Sequence, residues 1–167
     1  MSAFIVQPLA PGELRSVYPL IRETMPTIDL AAWTAFARPL LGRRAAQTGI
    51  MAARRKGRAF PCGLFCYRVD SDLEQGRVLI AEHFVAVDLL DPQAVLAALV
   101  AELDALGRRL GCNALRSVVH GGEAAITGGL VAAGHAPEAS LMLKPLRCAG
   151  YTGHGRMPRV GVLAAAQ

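Results

Sequence analysis

At 167 residues and 53% hydrophobic, the chain is long enough for one domain with a core of ordinary size. Aromatic residues make up only 5% of it, so leucine, valine and alanine must fill that core. The formal net charge of +5 favours anionic partners, yet no nucleic-acid-binding motif and no basic–aromatic interleaving appear, and no run approaches the roughly 18 apolar residues that cross a bilayer.

Ala3 to Leu9 reads as a first strand, closed by Pro8 and Pro11. Glu13 to Arg22 carries Leu14, Val17, Tyr18 and Ile21 at helical spacing and ends before Met25-Pro26. Asp29 is placed to cap a second helix with Leu30, Trp33, Phe36 and Ala37 turned inward, which Pro39 should end or kink. A basic loop from Gly42 to Gln47 follows. Ile50 to Arg54 and Phe60 to Val69 read as two strands joined by a turn at Arg55-Lys-Gly-Arg58, and Asp70 to Gly76 is the next turn.

Arg77 to Val87 is mostly β-branched or aliphatic, as in a strand covered on both faces. Asp91 can cap the next helix, and Pro92 fits its first turn, where a missing N–H costs nothing. From there to Gly111, Leu96, Leu99, Leu103, Leu106 and Leu110 form a buried stripe, with Glu102, Asp104, Arg108 and Arg109 on the wetted side. Ala114 to Val119 is a second apolar run. Strand, helix and strand within so short a stretch make a βαβ unit with parallel strands, whose strand-to-helix corner usually binds an anion. His120-Gly121-Gly122 marks a turn, where the glycine pair could expose amides to a ligand or simply reverse the chain. Glu123 to Ala133 is a helix closed by Gly134, and Ala139 to Leu146 a final strand. The expected domain is therefore 1–146. The Gly-rich tail, 147–167, is expected to dock on that domain or on a partner chain through Val160 to Ala165, as in a homodimer.

The N-terminus has no basic stretch followed by an apolar one, so no secretory signal is expected. Four cysteines, Cys62, Cys66, Cys112 and Cys148, include no C-x-x-C. Alternation puts Cys62 and Cys66 on one strand face about 13 Å apart, too far for a shared metal or a disulfide. Reduced thiols in a cytoplasm, without a metal site, are the expectation. Arg38, Arg43, Arg44, Arg54, Arg55, Lys56 and Arg58 fall in a stretch with no acidic residue, which suits either an anionic ligand or a solvated face.

The element order resembles the GNAT (Gcn5-related N-acetyltransferase) superfamily over residues 3 to 146. The resemblance implies an α/β fold with a central mixed sheet flanked by helices, and an acyl-CoA co-substrate inserted where two parallel strands splay apart. It places strand contacts to the donor at Val85 and Val87. The family's pyrophosphate loop, Arg/Gln-x-x-Gly-x-Gly/Ala, falls on Asp91, Pro92, Gln93, Ala94, Val95 and Leu96. Asp91 stands where the family has Arg or Gln, and Ala94 and Leu96 stand where it keeps small residues. The later family signature falls on Glu123 to Ile126, Leu130 and Gly134-His135, with Leu130 in place of a tyrosine often used as general acid.

Glu82, mid-strand among apolar neighbours, is the candidate general base, because partial burial raises a carboxylate's pKa toward the working range. The bland alternative is an ion pair with Arg54 or Arg68. His83 points to the opposite face by alternation, so it is not expected to pair with Glu82. His120, just past the second parallel strand, is the candidate second base or relay. Ser117 has no matched base and is no nucleophile candidate.

The expected activity is transfer of an acetyl or other acyl group from a CoA thioester to a small-molecule or protein amine. The alternatives are a binding or regulatory module that has lost the donor site, and an acyltransferase fed by a carrier-protein thioester. A helix N-terminus attracts an anion by roughly 0.3–2 kcal/mol, whereas a carboxylate about 4 Å from a phosphate repels it by about 4 kcal/mol at an effective dielectric near 20. Asp91, with the bulk of Leu96, is therefore expected either to hold CoA affinity weaker than about 100 μM or to shift CoA toward the Arg43-Arg44 and Arg54–Arg58 charges.

Overall fold

The computed structural model describes residues 3–42, 47–88, 90–120 and 124–144. The tail and the Val160 to Ala165 run lie outside these residues, as do Arg43, Arg44, Gly121 and Gly122. Strand β1 (Phe4–Pro8) is followed by a 3₁₀ turn (Pro11–Glu13), then helices α1 (Leu14–Thr24) and α2 (Leu30–Leu40). Strands β2 (Thr48–Arg55), β3 (Pro61–Asp72) and β4 (Gly76–Ala86) come next. Helix α3 (Pro92–Arg109), strand β5 (Ala114–Ser117) and helix α4 (Ala124–Ala132) complete the described elements. The sheet runs β1-β2-β3-β4-β5, antiparallel except for the parallel β4–β5 pair. This is the mixed sheet expected from the sequence, with the βαβ unit in place.

Alternation along the strands sorts side chains into two cores. Met51, Ala53, Phe65, Tyr67, Leu79 and Ala81 face α3 and α4. Ile50, Ala52, Leu64 and Cys66 face α1 and α2, where Val17, Ile21, Trp33 and Ala37 close the other side. From α3, Val95, Leu96, Leu99, Val100, Leu103 and Leu106 are buried, each contributing roughly 1.5–3 kcal/mol on removal from water. Gly63 sets how close α3 comes to β3, because a Cβ there would lie 2.6 Å from Val95 Cγ1 and 2.8 Å from Val85 O.

The caps are as expected: Asp29 accepts from Ala32 N at 2.7 Å and Asp91 from Ala94 N at 2.9 Å. Four sequence expectations need correction. Phe36 is not a core residue; it is 43% exposed, on the edge of the α2 stripe that reaches β4. The β3–β4 turn is tighter than Asp70 to Gly76, because Asp72 Oδ1 accepts from the Glu74 and Gln75 amides and lets β3 run to Asp72. Cys62 does not share a face with Cys66. The β2–β3 register slips at Ala53/Arg54, and Cys62 packs toward α3 while Cys66 faces α1 and α2. Finally, residues 139–144 form no strand, and Leu141, Met142 and Leu143 are exposed. Extended backbone becomes a strand only beside a partner, and the described residues offer none there. No described helix is long and apolar enough to cross a membrane.

Candidate active site

Strand β4 changes phase in its middle. Cys66 pairs with Glu82 and Leu64 with Val85, so two residues of β4, His83 and Phe84, stand opposite Phe65 alone. This is a β-bulge, and His83 takes it up with φ 56°, the single positive φ among the described non-glycine residues. A left-handed backbone costs a residue with a Cβ about 1–2 kcal/mol. Ring contacts help hold it. His83 meets the Phe36 ring edge-on at 5.1 Å and stacks on His120 at 5.4 Å.

The bulge overturns the expectation that His83 points away from Glu82. Glu82 lies opposite Cys66, on the α1–α2 face, and His83 meets Phe36 of α2 on that same face. Phe36, Glu82, His83 and His120 thus gather at one place. Burial holds the His83 imidazole below its ordinary range; Glu82 pulls it back up, while His120 and Arg68 add to the lowering. An imidazole so placed is neutral near pH 7 and able to accept a proton. Glu82 Oε1 accepts from Arg68 Nη1 at 2.7 Å, the ion pair offered as the alternative reading, while Arg54 is engaged by Glu13 at 2.6 Å. The Glu82 charge also reaches the Cys66 thiol, which burial first and that carboxylate second push far up.

The bulge begins where β5 leaves β4. Parallel pairing runs from Val78–Ala114 to Ala81–Ser117, and Val118 N donating to Ala81 O at 2.8 Å closes it. Beyond that point β4 continues to Ala86 with no described strand on its β5 side. Val87 N–H donates to Cys62 O of β3 at 2.8 Å. By alternation the Ala86 N–H then faces the gap that β5 has left. Val85 is buried in the α1–α2 core, and Val87 is half-buried against it.

The loop between β4 and α3 is arranged differently. Asp88 Oδ1 accepts from Leu90 N at 2.9 Å and Asp91 N at 3.1 Å, and both its oxygens accept from Arg55 Nη2 at 3.0 and 2.9 Å. The Leu90 amide, then Arg55 and the Asp91 amide, hold the Asp88 carboxyl down at about 2. Asp91 takes the Ala94 amide in turn. Three amides at this corner, those of Leu90, Asp91 and Ala94, are therefore occupied by this chain's own carboxylates. Gln93 is exposed and Ala94 half-buried, while Val95 is fully buried near Gly63. Leu96 does not crowd the loop as the sequence suggested. It is 2% exposed and packs toward Gly129 of α4, where a Cβ would lie 2.5 Å from Leu96 Cδ2. Asp88 was missed from sequence; its signal is an Asp just after a strand, the residue type that bonds amides two or three residues on.

Two grooves lie elsewhere. One of about 780 Å³ runs between α1 and α2 past Arg15, Thr34 and Arg38. Another of about 620 Å³ follows the outer edge of β5 past Ser117, Leu130 and Leu141. Neither includes Glu82, His83 or His120. The Ser117 hydroxyl is buried without a hydrogen-bond partner among the described residues. Among those residues no three His, Cys, Asp or Glu side chains gather to hold a metal.

No family model matches the sequence, and no curated protein matches it. Solved structures do. An aminoglycoside N-acetyltransferase, AAC(6')-Iy, in complex with CoA superposes at TM-score 0.70 with 17% identity, over 89% of this chain and 97% of that one. A ribosomal-protein-alanine N-acetyltransferase from Brucella melitensis biovar Abortus 2308 superposes at TM-score 0.67 with 17% identity, over 85% and 99%. A glucosamine-6-phosphate N-acetyltransferase from Arabidopsis thaliana superposes at 0.64 with 12% identity, over 86% and 99%. At these identities the likeness establishes the fold: the chain has the N-acetyltransferase architecture of the GNAT type.

Proposed function

We propose that this protein is an N-acyltransferase that moves an acyl group from a CoA-type thioester to an amine. The observation that carries the reading is the bulge in β4. It places Glu82, His83 and His120 together where β4 and β5 part. Acyl transfer to an amine forms a C–N bond, breaks the C–S bond and releases one proton from nitrogen as the thiol leaves. The amine must first be neutral, which calls for a base at the acceptor. Glu82, held by Arg68, is the carboxylate placed to take that proton, and His83, which burial holds below its ordinary range beside His120, is a second acceptor. The Ala86 N–H, turned to the gap, is placed to donate to a thioester oxygen. We place the thioester end of the donor at this gap, while Asp88 and Asp91, which take the Leu90, Asp91 and Ala94 amides, disfavour its diphosphate end at the β4–α3 loop.

The test is thiol release from acetyl-CoA in the presence of an aminoglycoside, glucosamine 6-phosphate and a peptide with a free N-terminus. Amine-dependent release is the expected result, and Glu82→Gln should lower it by about one to several powers of ten with little change in donor affinity. Full activity of that variant would move the base to a histidine. The second reading is a binding module on the same fold, and the carboxylate-filled loop favours it. Absence of any thermal shift with millimolar acetyl-CoA, together with no turnover, would decide for that reading.

The location and assembly we propose are cytoplasmic and homodimeric, with the 147–167 tail docked on the domain or on the second copy. The apolar Val160 to Ala165 run is the support for docking. Removing Gly150 to Gln167 should lower the melting temperature or dissociate the dimer; unchanged melting and sedimentation would contradict it.

A further inference from the structure

We propose that the donor is a pantetheine-type thioester carried by an acidic protein, which docks on the tip of the β2–β3 hairpin beside the gap between β4 and β5. This rests on the acyltransferase reading and narrows its donor. Two independent observations converge on it.

The first is the filled loop. The amides of Leu90, Asp91 and Ala94 already donate to Asp88 and Asp91, so a diphosphate arriving there meets two carboxylates and no free amide from that set. For a free nucleotide-bearing donor, carboxylate repulsion outweighs the helix-end attraction at this corner. A donor whose arm is tethered to a protein does not need it.

The second is the surface next to that loop. Gly63 pairs with Ala86, and Arg55 bonds Asp88, so the hairpin tip stands beside the β4–α3 corner. On this tip Lys56 and Arg58 are exposed and make no ion pair among the described residues. Phe60 is 79% exposed, and Leu90, in the corner itself, is 85% exposed. On the hairpin, Phe60 beside the unpaired Lys56 and Arg58, with no acidic residue from Arg38 to Arg58 and with Asp88 of the adjoining corner paired to Arg55, suits an acidic partner with an apolar spot. The partner's tethered arm would enter the gap where the Ala86 N–H and the Glu82–His83–His120 group face it.

The experiment measures affinity for three probes: CoA, pantetheine, and an acetylated holo-acyl carrier protein. CoA and pantetheine are expected to bind within about threefold of each other, and the carrier at least about tenfold more tightly. That gain should disappear in Lys56→Glu/Arg58→Glu, whose changes sit on an exposed turn outside the core, and should shrink as salt rises. In Asp88→Asn, CoA should gain on pantetheine, because one of the two carboxylates is gone; the ratio is read within one variant, so any loss of fold cancels. CoA binding about tenfold tighter than pantetheine in the unmodified protein overturns the inference and leaves the acyltransferase reading standing. A carrier no tighter than pantetheine, or one indifferent to the hairpin charges, also overturns it. Failure of all three probes to bind overturns the acyltransferase reading as well.

Discussion

Two neighbouring stretches of the chain, Ala81–Ala86 and Asp88–Ala94, handle their backbone in opposite ways. The first departs from regular pairing: a histidine sits in left-handed backbone, β5 ends with no other described strand beside β4, and an amide faces that side. The second is closed on itself, with Asp88 and Asp91 taking the amides of Leu90, Asp91 and Ala94. Strain and open hydrogen-bonding capacity are retained where something else completes them, whereas a self-satisfied loop is complete without a ligand. This contrast is the ground on which we propose that the strand, and not the loop that resembles an anion site, carries the chemistry.

The largest expected effect comes from Leu96→Gly. If Leu96 belonged to a donor loop, the change would open room for phosphate at little cost. Since it is buried toward Gly129, the variant should lose about 3–6 kcal/mol, the sum of a core cavity and a helix glycine, read by urea unfolding. A loss below about 1 kcal/mol would return Leu96 to the loop.

The bulge is probed by comparing His83→Gly with His83→Ala. Both remove the ring, and only glycine relieves the left-handed backbone, so the glycine variant should be more stable by about 1–2 kcal/mol. Equal stabilities would mean that the backbone at 83 carries no strain. Both variants should lose turnover if the imidazole handles a proton.

The smallest effect is in the pH dependence of stability. Asp88 is held at about 2 against an ordinary value of 3.8, so its contribution is present above 3.8 and lost as pH falls toward 2. Asp88→Asn should flatten the unfolding curve in that window alone. His83 is likewise lowered, from an ordinary 6.5, so the unfolded chain takes its proton first and stability declines as pH falls below that value. In His83→Ala this higher window should vanish while the Asp88 window stays.

Much of the architecture was legible in the residues. The leucine spacing of α3, the caps at Asp29 and Asp91, and the apolar run of β4 each follow from local periodicity or capping chemistry, which needs no distant partner. The site was less legible for a definite reason. A bulge is a register error between two strands, and neither strand's own pattern reports it. Nothing about Glu82-His83-Phe84 announces left-handed backbone, since the usual glycine or asparagine signal is missing. The assignment of Glu82 and His83 to opposite faces failed there, and the same kind of slip separated Cys62 from Cys66. Phe36 was assigned to the core from helical spacing alone, because its neighbour His83 reaches it only through the bulge. Leu96 carries two readings in the sequence, one in the buried stripe of α3 and one in the loop motif, and the helical spacing is the one that holds.

The most direct measurement is an amide NMR titration of the ¹⁵N-labelled protein with acetyl-CoA. One set of signals reports the open strand, Phe84 and Ala86; the other reports the filled loop, Leu90, Asp91 and Ala94. Ala86 is expected to move with added donor while the three loop amides stay, because Asp88 and Asp91 keep them. Large shifts at Leu90, Asp91 and Ala94 with Ala86 unmoved would contradict it, placing the donor on the helix N-terminus and the chemistry away from the bulge.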